Sequence, residues 1–279
     1  MRLIDIGVNL THRSFDRDRE AVIARAEEAG VSPLVITGAS VAASREAADY
    51  AGSFAALPGG TRSIYATAGV HPHDAKTCGA GTIAALRELA GRETVIAVGE
   101  CGLDYDRDFS PRPTQRHWFE KQVELAAELG MPLFLHERGA FDDFSALLKQ
   151  HAGSVKNFVV HCFTGSRREL ESYLSLGAYI GITGWFCDER RGAHLRDLVG
   201  EIPAGRLLVE TDAPFLVPRD LPRGSGAEAG RGSRNEPRNL PHIVRAIAAK
   251  TGKDPEQLAA ETFAAARQFF GPKFLPPPA

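Results

Sequence analysis

Short apolar segments alternate with longer amphipathic ones along almost the whole chain, and this alternation limits the folds that it can adopt. Segments rich in Val, Ile and Leu predict eight strands, at residues 3–8, 33–37, 64–70, 94–99, 132–136, 157–161, 178–183 and 206–211. Segments rich in Ala, Glu, Arg and Leu predict helices at 18–29, 41–56, 80–90, 113–129, 140–150, 166–176, 190–199, 240–250 and 255–270. Such alternation is typical of βαβ units and therefore of a parallel sheet.

The predicted strands are nearly continuous apolar runs, the pattern of strands that are buried on both faces of a sheet. Eight of them at this spacing favour a closed sheet over an open one. We therefore predict an α/β fold of the TIM-like (β/α)₈ barrel type. A chain of 279 residues is long enough for one barrel, so we expect a single domain over 1–279 with a flexible tail from about residue 272.

Residue types that bind metals stand at the carboxyl ends of four predicted strands. Glu100 follows VIAVG, His136 ends PLFLH, His161 ends NFVVH and Asp212 follows LLVET. In a parallel barrel these ends converge on the face where catalytic groups gather. Each residue alone has a structural explanation, such as a hydrogen-bonded core histidine or an aspartate that caps a turn. Together they favour one site for Zn²⁺, Mn²⁺ or a similar divalent cation.

Such a site predicts hydrolysis, because a divalent cation lowers the pKa of a bound water and polarises the bond under attack. We interpret Asp212 as the general base that accepts the water's proton and Glu100 as a ligand. His71 follows the third predicted strand, and we interpret it as facing the substrate. His73, two residues on, is interpreted as holding the loop.

The charge balance shows that any polyanion must bind to a local patch, because the formal net charge is −2. Arginines in the loops after strands four, five and eight are candidates, namely Arg107, Arg112, Arg138, Arg219, Arg223, Arg231, Arg234 and Arg238. Candidate surfaces for stacked bases are Phe141, Trp185, Phe186 and Phe215, with packing in the core as the alternative for each.

The four cysteines lie far apart without a CxxC pair, which fits neither a zinc knuckle nor a disulfide framework. The N-terminal segment has neither the pattern of a signal peptide nor that of a membrane span. We therefore expect a cytoplasmic protein without a membrane partner. No segment is typical of assembly, so we expect a monomer.

Taken together, the motifs resemble the TatD family of metal-dependent deoxyribonucleases, within the amidohydrolase-like group of TIM barrels. The resemblance runs in order along almost the whole chain. The matching segments are DIGVNL (5–10), TAGVHPHDA (67–75), VGECGLDYDRDFS (98–110), MPLFLHER (131–138), HCFTGS (161–166), YIGITGWFCDERRG (179–192), ETDAPFLVPRD (210–220) and RNEPRNLPHI (234–243).

The resemblance implies a 3′-5′ exonuclease that hydrolyses phosphodiester bonds of single-stranded DNA or RNA and has a role linked to DNA damage. It implies Mg²⁺ as the usual cation, with Mn²⁺ or Zn²⁺ as alternatives. It also implies Glu100, His136 and His161 as metal ligands, with Asp212 as a catalytic carboxylate that also contacts the metal. The substrate site would be formed by His71, Asp104, Arg107, Arg138 and the RNEP segment that contains Asn235.

Two positions depart from the family pattern. Many relatives carry an HxH pair on the first strand, where this chain has Gly7 and Asn9. Neither replaces an imidazole, which puts a full two-metal site in question and favours an oxygen-rich site that Mg²⁺ occupies with several waters. Gly139 follows HER in place of the usual acidic residue.

Because fold does not fix substrate, a metal-dependent ester or amide hydrolase, such as an aminoacyl-tRNA deacylase, is the alternative function.

Overall fold

The computed structural model describes residues 1–54, 62–151, 153–222 and 234–274. Its strands are β1 (Leu3–Val8), β2 (Val31–Ile36), β3 (Ile64–Ala68), β4 (Val95–Asp104), β5 (Leu133–Arg138), β6 (Phe158–Val160), β7 (Tyr179–Ile182) and β8 (Leu207–Val209). Its α-helices are α1 (Arg19–Glu28), α2 (Val41–Ser53), α3 (Thr82–Ala90), α4 (Arg112–Leu129), α5 (Phe141–His151), α6 (Arg167–Ser175), α7 (Ala193–Leu198), α8 (Leu240–Thr251) and α9 (Pro255–Phe270).

The strands form one parallel sheet in the order β1 to β8, and β8 also contacts β1. Just beyond β8, the backbone N–H of Asp212 donates to the carbonyl of Gly7 at 2.9 Å. The N–H of Asn9 in turn donates to the carbonyl of Ala213 at 2.7 Å. A parallel sheet in which the last strand returns to the first, with helices between its strands, is a (β/α)₈ barrel. The predicted TIM-like fold is therefore confirmed.

The chain divides into two compact units, of which the first comprises residues 1–36, 162–166 and 180–268. Every residue of β1 is buried, and Asp5 of this strand lies in register with Leu34 of β2. Helix α8 covers this unit with four fully buried side chains, Leu240, Ile243, Val244 and Ile247. Their spacing places them on one face of the helix, which explains why this segment forms an amphipathic helix.

The second unit comprises residues 37–161, 167–179 and 269–279, and it contains β3 to β6. Helices α4 and α5 meet through the stacked rings of Phe119 and Phe144, whose centroids are 5.2 Å apart. Near the C-terminus, Phe274 is buried, with its ring 4.8 Å from that of Tyr65. The described part of the expected flexible tail, 272–274, is therefore packed on this unit, and 275–279 lie outside the described residues. The prediction of a single domain over 1–279 stays a prediction.

Strand β4 is longer than the sequence predicts, because ECGLD continues the buried strand to Asp104. Glu100 therefore lies within β4 and not after its end. In the register with β5, Gly99 pairs with Phe134 and Cys101 pairs with Leu135, which leaves Glu100 as the extra residue of a bulge. Gly99 has a φ of 135°, a conformation that favours glycine. A bulge changes the direction of a side chain, and here it determines where the Glu100 carboxylate lies.

Within the described ranges, no helix is both long enough and apolar enough to cross a membrane.

Candidate metal centre

Three histidines of the second unit surround the carboxylate of Glu100. Its Oε1 lies 3.0 Å from Nδ1 of His136, 3.4 Å from Nε2 of His71 and 3.3 Å from Nε2 of His161. His136 belongs to β5, His161 directly follows β6, and His71 lies three residues beyond β3. All four side chains are at most 15% exposed. The second unit thus brings together three of the four predicted ligands and adds His71 to them.

This group contains the residue types that coordinate a divalent cation, because it combines a carboxylate with imidazole nitrogens. His71, Glu100 and His136 offer ligand atoms that all lie within 4.8 Å of one another. Burial disfavours the charged form of Glu100, but the surrounding histidines keep the pKa of its carboxyl well below the usual value. Glu100 is therefore a carboxylate at neutral pH, the form that binds a metal.

His71 differs from a metal ligand in its hydrogen bonding. The backbone N–H of His73 donates to Nδ1 of His71 at 3.1 Å, so Nδ1 carries a lone pair. Burial lowers the pKa of His71 to about 3 and outweighs the opposing effect of Glu100, so the ring is neutral. The single proton of this neutral ring is then on Nε2. His71 therefore presents an N–H donor towards the centre, whereas a ligand would present a lone pair.

Asp104, at the end of β4, is fully buried and holds two of the imidazole rings. Its Oδ2 lies 2.7 Å from Nε2 of His73 and 3.3 Å from Nε2 of His136. Its Oδ1 accepts from the backbone N–H of Arg107 at 2.9 Å. A carboxylate bonded to the second nitrogen of a ligand histidine fixes the orientation and the tautomer of that ring. The structure thus places Asp104 behind His136, in the position of a support.

Asp212 lies in the first unit, three residues beyond β8, and has a φ of 51°. Its Oδ1 accepts a hydrogen bond of 2.9 Å from Nδ2 of Asn9. Its backbone N–H donates to Gly7 O, as described above. The two residues that stand at the HxH positions of many relatives therefore contact Asp212. Asn9 contacts the carboxylate of Asp212, and the carbonyl of Gly7 contacts its backbone N–H.

Two fully buried residues fix the segment around Asp212, namely Asp5 and Asn235. Asp5 accepts hydrogen bonds from the backbone N–H of Thr211, at 2.9 Å, and from its hydroxyl. Nδ2 of Asn235 donates to Thr211 O at 3.0 Å and to Leu216 O at 3.3 Å. Sequence reasoning missed Asp5, although an acidic residue inside the apolar run LIDIGV was a usable signal. Asp5 and Asn235 both position the segment around Asp212, and the side chain of Asn235 is itself fully buried.

The arginines expected to bind phosphate are paired with carboxylates. Nε of Arg138 lies 2.8 Å from Oδ2 of Asp106. The other pairs are Arg107 with Asp104, Arg112 with Asp108, Arg219 with Asp188, Arg234 with Asp18 and Glu236, and Arg238 with Glu236. Arg223 and Arg231 lie outside the described residues. A phosphate that binds one of the paired arginines must therefore compete with a carboxylate.

The aromatic candidates for base stacking differ in exposure. Phe215 is 49% exposed, whereas Phe186 is buried in the first unit. Sequence reasoning did not single out Phe109, which is 57% exposed and has its ring 4.7 Å from that of His73. An exposed ring beside His73 is available for stacking, which the sequence did not indicate.

Comparison with known proteins gives the family of this chain. A family model described as TatD related DNase matches residues 4–271. The chain belongs to this family. The 3′-5′ ssDNA/RNA exonuclease TatD of Erwinia amylovora is 50% identical over 270 residues, which cover 96% of this chain and 100% of that protein. The protein of the same name from Shigella flexneri is 47% identical over 273 residues, which cover 98% and 100%.

Solved structures lead to the same TatD family. The TatD homolog YJJV of Escherichia coli has a TM-score of 0.85 and 25% identity, and the match covers 96% of this chain and 98% of that one. A TatD family hydrolase of Entamoeba histolytica has a TM-score of 0.85 and 26% identity, with 98% and 99% covered. The predicted assignment to a family of hydrolases is confirmed. The family and its amidohydrolase-like fold imply dependence on a divalent metal.

Proposed function

We propose that this protein is a metal-dependent 3′-5′ exonuclease that hydrolyses phosphodiester bonds of single-stranded DNA and RNA, with Mg²⁺ as its cation. One observation carries the proposal: three imidazole nitrogens lie within 3.0–3.4 Å of a single oxygen of Glu100. The names of the two TatD relatives, which align along their full length with this chain, support the substrate and the polarity.

We assign Glu100, His136 and His161 as metal ligands and Asp212 as the catalytic carboxylate that also contacts the cation. A divalent cation held by these residues would lower the pKa of a bound water and supply positive charge for the phosphate. Asp212 accepts the proton of the attacking water as general base. The amide of Asn9 fixes the rotation of this carboxylate through its bond to Oδ1. Asp104 fixes the ring of His136 through Nε2.

His71 acts on the substrate in this proposal. Its Nε2–H donates to a non-bridging oxygen of the scissile phosphate, where negative charge increases in the transition state. The hydrogen bond from His73 to Nδ1 supports this role, because it keeps the proton on Nε2. Arg138 binds a neighbouring phosphate by leaving Asp106. Asn235 contributes indirectly, because its amide holds the segment from Thr211 to Leu216 in place.

The identity of the cation and the cellular setting are further parts of the proposal. A site with two imidazole ligands also suits Mn²⁺ and Zn²⁺, so the three ions must be compared directly.

We place the protein in the cytoplasm as a monomer. A reducing compartment is supported by the cysteines, because none of the four, all within the described ranges, forms a disulfide.

The test is digestion of end-labelled oligonucleotides by metal-depleted protein after addition of Mg²⁺, Mn²⁺ or Zn²⁺. We expect a 5′-labelled single strand to give a ladder that shortens from the 3′ end, and a 3′-terminal phosphorothioate to block it. Glu100→Gln abolishes the ladder. Glu128→Gln removes the same charge from an exposed carboxylate paired with Arg87 and retains activity.

Three outcomes would contradict the proposal. The first is an intact single strand with every cation, and the second is wild-type activity of Glu100→Gln. The third is hydrolysis of aminoacyl-tRNA in place of oligonucleotides, which would identify a deacylase on the same scaffold.

A further inference from the structure

A second group of metal-binding residue types lies in the first unit, at Cys187, Asp220 and His242. Cys187 ends a short 3-10 turn after β7, Asp220 lies in the segment after β8, and His242 lies in the first turn of α8. The three side chains offer a sulfur, an oxygen and a nitrogen atom that all lie within 4.8 Å of one another. The proposed exonuclease mechanism uses none of them.

The polar atoms of this group lie close together. Nε2 of His242 lies 2.6 Å from Oδ1 of Asp220, and the sulfur of Cys187 lies within 4.8 Å of the ligand atoms of both residues. Imidazole nitrogen and carboxylate oxygen are both ligand types that divalent cations accept.

The burial of the group also suits a cation. Cys187 is 1% exposed, whereas the side chains of Asp220 and His242 are 39% and 24% exposed. The sulfur is thus shielded from solvent, and the oxygen and the nitrogen remain accessible to an ion that enters from the surface. A usable site needs such an entry path.

The sulfur of Cys187 favours a metal site over a group of side chains that only hydrogen bond to one another. A thiol is a weak hydrogen-bond donor, and a serine hydroxyl would join His242 and Asp220 more effectively. A thiolate, by contrast, is among the preferred ligands of Zn²⁺, together with imidazole and carboxylate. Each ligand comes from a separate segment of the chain: the sulfur from the turn after β7, the carboxylate from the segment after β8 and the imidazole from α8.

We propose that Cys187, Asp220 and His242 form a second metal site, which binds Zn²⁺ or another thiophilic divalent cation with water as the fourth ligand. The bound ion joins the turn after β7, the segment after β8 and helix α8. It stabilises this part of the first unit and takes no part in phosphodiester hydrolysis. The proposal does not depend on the proposed function.

Co²⁺ is the probe, because a bond from thiolate to Co²⁺ gives a charge-transfer absorption in the near ultraviolet that nitrogen and oxygen ligands do not give. We expect the chelator-treated full chain to develop this band on titration. Cys187→Ser loses the band, and Cys78→Ser, which changes a thiol of the second unit, retains it. Glu100→Gln also retains it, which separates this site from the proposed catalytic centre.

A thermal measurement gives a second readout. Because Zn²⁺ also suits the proposed catalytic centre, the comparison is made in Glu100→Gln, which removes a ligand there. We expect Zn²⁺ to raise the Tm of Glu100→Gln and to leave the Tm of the double variant Glu100→Gln/Cys187→Ser unchanged. If Cys187→Ser does not fold, His242→Gln and Asp220→Asn replace it, and each must weaken Co²⁺ binding at least about tenfold. The proposal is wrong if the wild type shows no band, if Cys187→Ser keeps it, or if both replacement variants bind Co²⁺ like the wild type.

Discussion

Nδ2 of Asn9 donates a hydrogen bond of 2.9 Å to Oδ1 of Asp212. The two residues follow neighbouring strands, so the chain just after β1 orients the carboxylate that lies just after β8. An amide suits this position because it donates a hydrogen bond without adding a charge beside the carboxylate. The pairing explains why Asn9 is useful although it is a poor metal ligand.

Asn9→Ala should lower kcat about tenfold to hundredfold, because the carboxylate of Asp212 loses its fixed orientation. We expect little change in KM, since Asn9 does not bind substrate in the proposal. Steady-state kinetics on a single-stranded oligonucleotide measure both constants. Asn157→Ala is the control, because it removes another amide hydrogen bond, to Phe269 O at 3.1 Å, and should affect Tm alone. A wild-type kcat for Asn9→Ala would show that this hydrogen bond does not matter.

Asp212→Asn should lower kcat by about 10²–10⁴, the usual contribution of a general base. The amide keeps the shape of the side chain but accepts no proton. We expect metal affinity to change only a few-fold, as measured by titration calorimetry. If the variant instead retains kcat and binds the oligonucleotide more weakly, Asp212 is a substrate-binding group and not the base.

His71→Ala should lower kcat/KM about 10²–10³-fold, because the phosphate loses a hydrogen-bond donor. Metal affinity should stay within a few-fold of the wild type. His161→Ala is the matched comparison and should reduce both activity and metal affinity, since His161 is assigned as a ligand. Metal titration of the two variants separates the roles, and a large loss of affinity in His71→Ala would make His71 a ligand.

Asp104→Asn should weaken metal binding about 10–100-fold, the usual effect of removing the carboxylate that supports a ligand histidine. Asp106→Asn is the control, because Asp106 is exposed and contacts Arg138. The ratio of the two metal dissociation constants is the measurement. Equal constants for the two variants would exclude Asp104 as a support of His136.

Asp5→Asn should stabilise the protein above pH 4 and flatten its pH profile. Burial raises the pKa of Asp5 from 3.8 to about 8, so between these values the folded chain holds a proton that the unfolded chain has lost. The stability contributed by this group therefore falls as pH rises from about 4 to about 8 and levels off above that. An asparagine can accept from the Thr211 N–H through Oδ1 and donate to the Thr211 hydroxyl oxygen through Nδ2, without ionising. Denaturant unfolding of both proteins from pH 4 to pH 9 measures the difference, and Asp16→Asn, at an exposed carboxylate, is the control. Parallel pH profiles for Asp5→Asn and the wild type would show that Asp5 is ionised when folded.

The fold was predictable because strand and helix periods are local properties of the chain. The eight apolar runs were enough to identify the strands, since buried parallel strands need side chains that are apolar on both faces. The end of β4 was harder to predict, because the polar residues Glu100 and Asp104 are typical of a loop. Their burial depends on partners from other strands, which no local pattern reveals.

The candidate centre was predictable in its residue types and less so in its hydrogen bonds. The ends of the predicted strands identified Glu100, His136 and His161, although Glu100 and His136 lie within the longer strands of the structure. The sequence could not show that His73 fixes the tautomer of His71, or that Asp104 lies behind His136. Both depend on the direction of side chains around a turn. Asp5 escaped notice because a buried acid is rare, and only the contact with Thr211 explains it.

If the chain is the exonuclease that we propose, the paired arginines determine what binding a nucleic acid strand involves. Each guanidinium that takes a phosphate gives up a carboxylate, so the contact is an exchange of one anion for another. Such an exchange releases little net energy per nucleotide and does not depend on base sequence. A strand held in this way moves on after each cut with little cost, which suits an enzyme that shortens its substrate stepwise and must not keep the product.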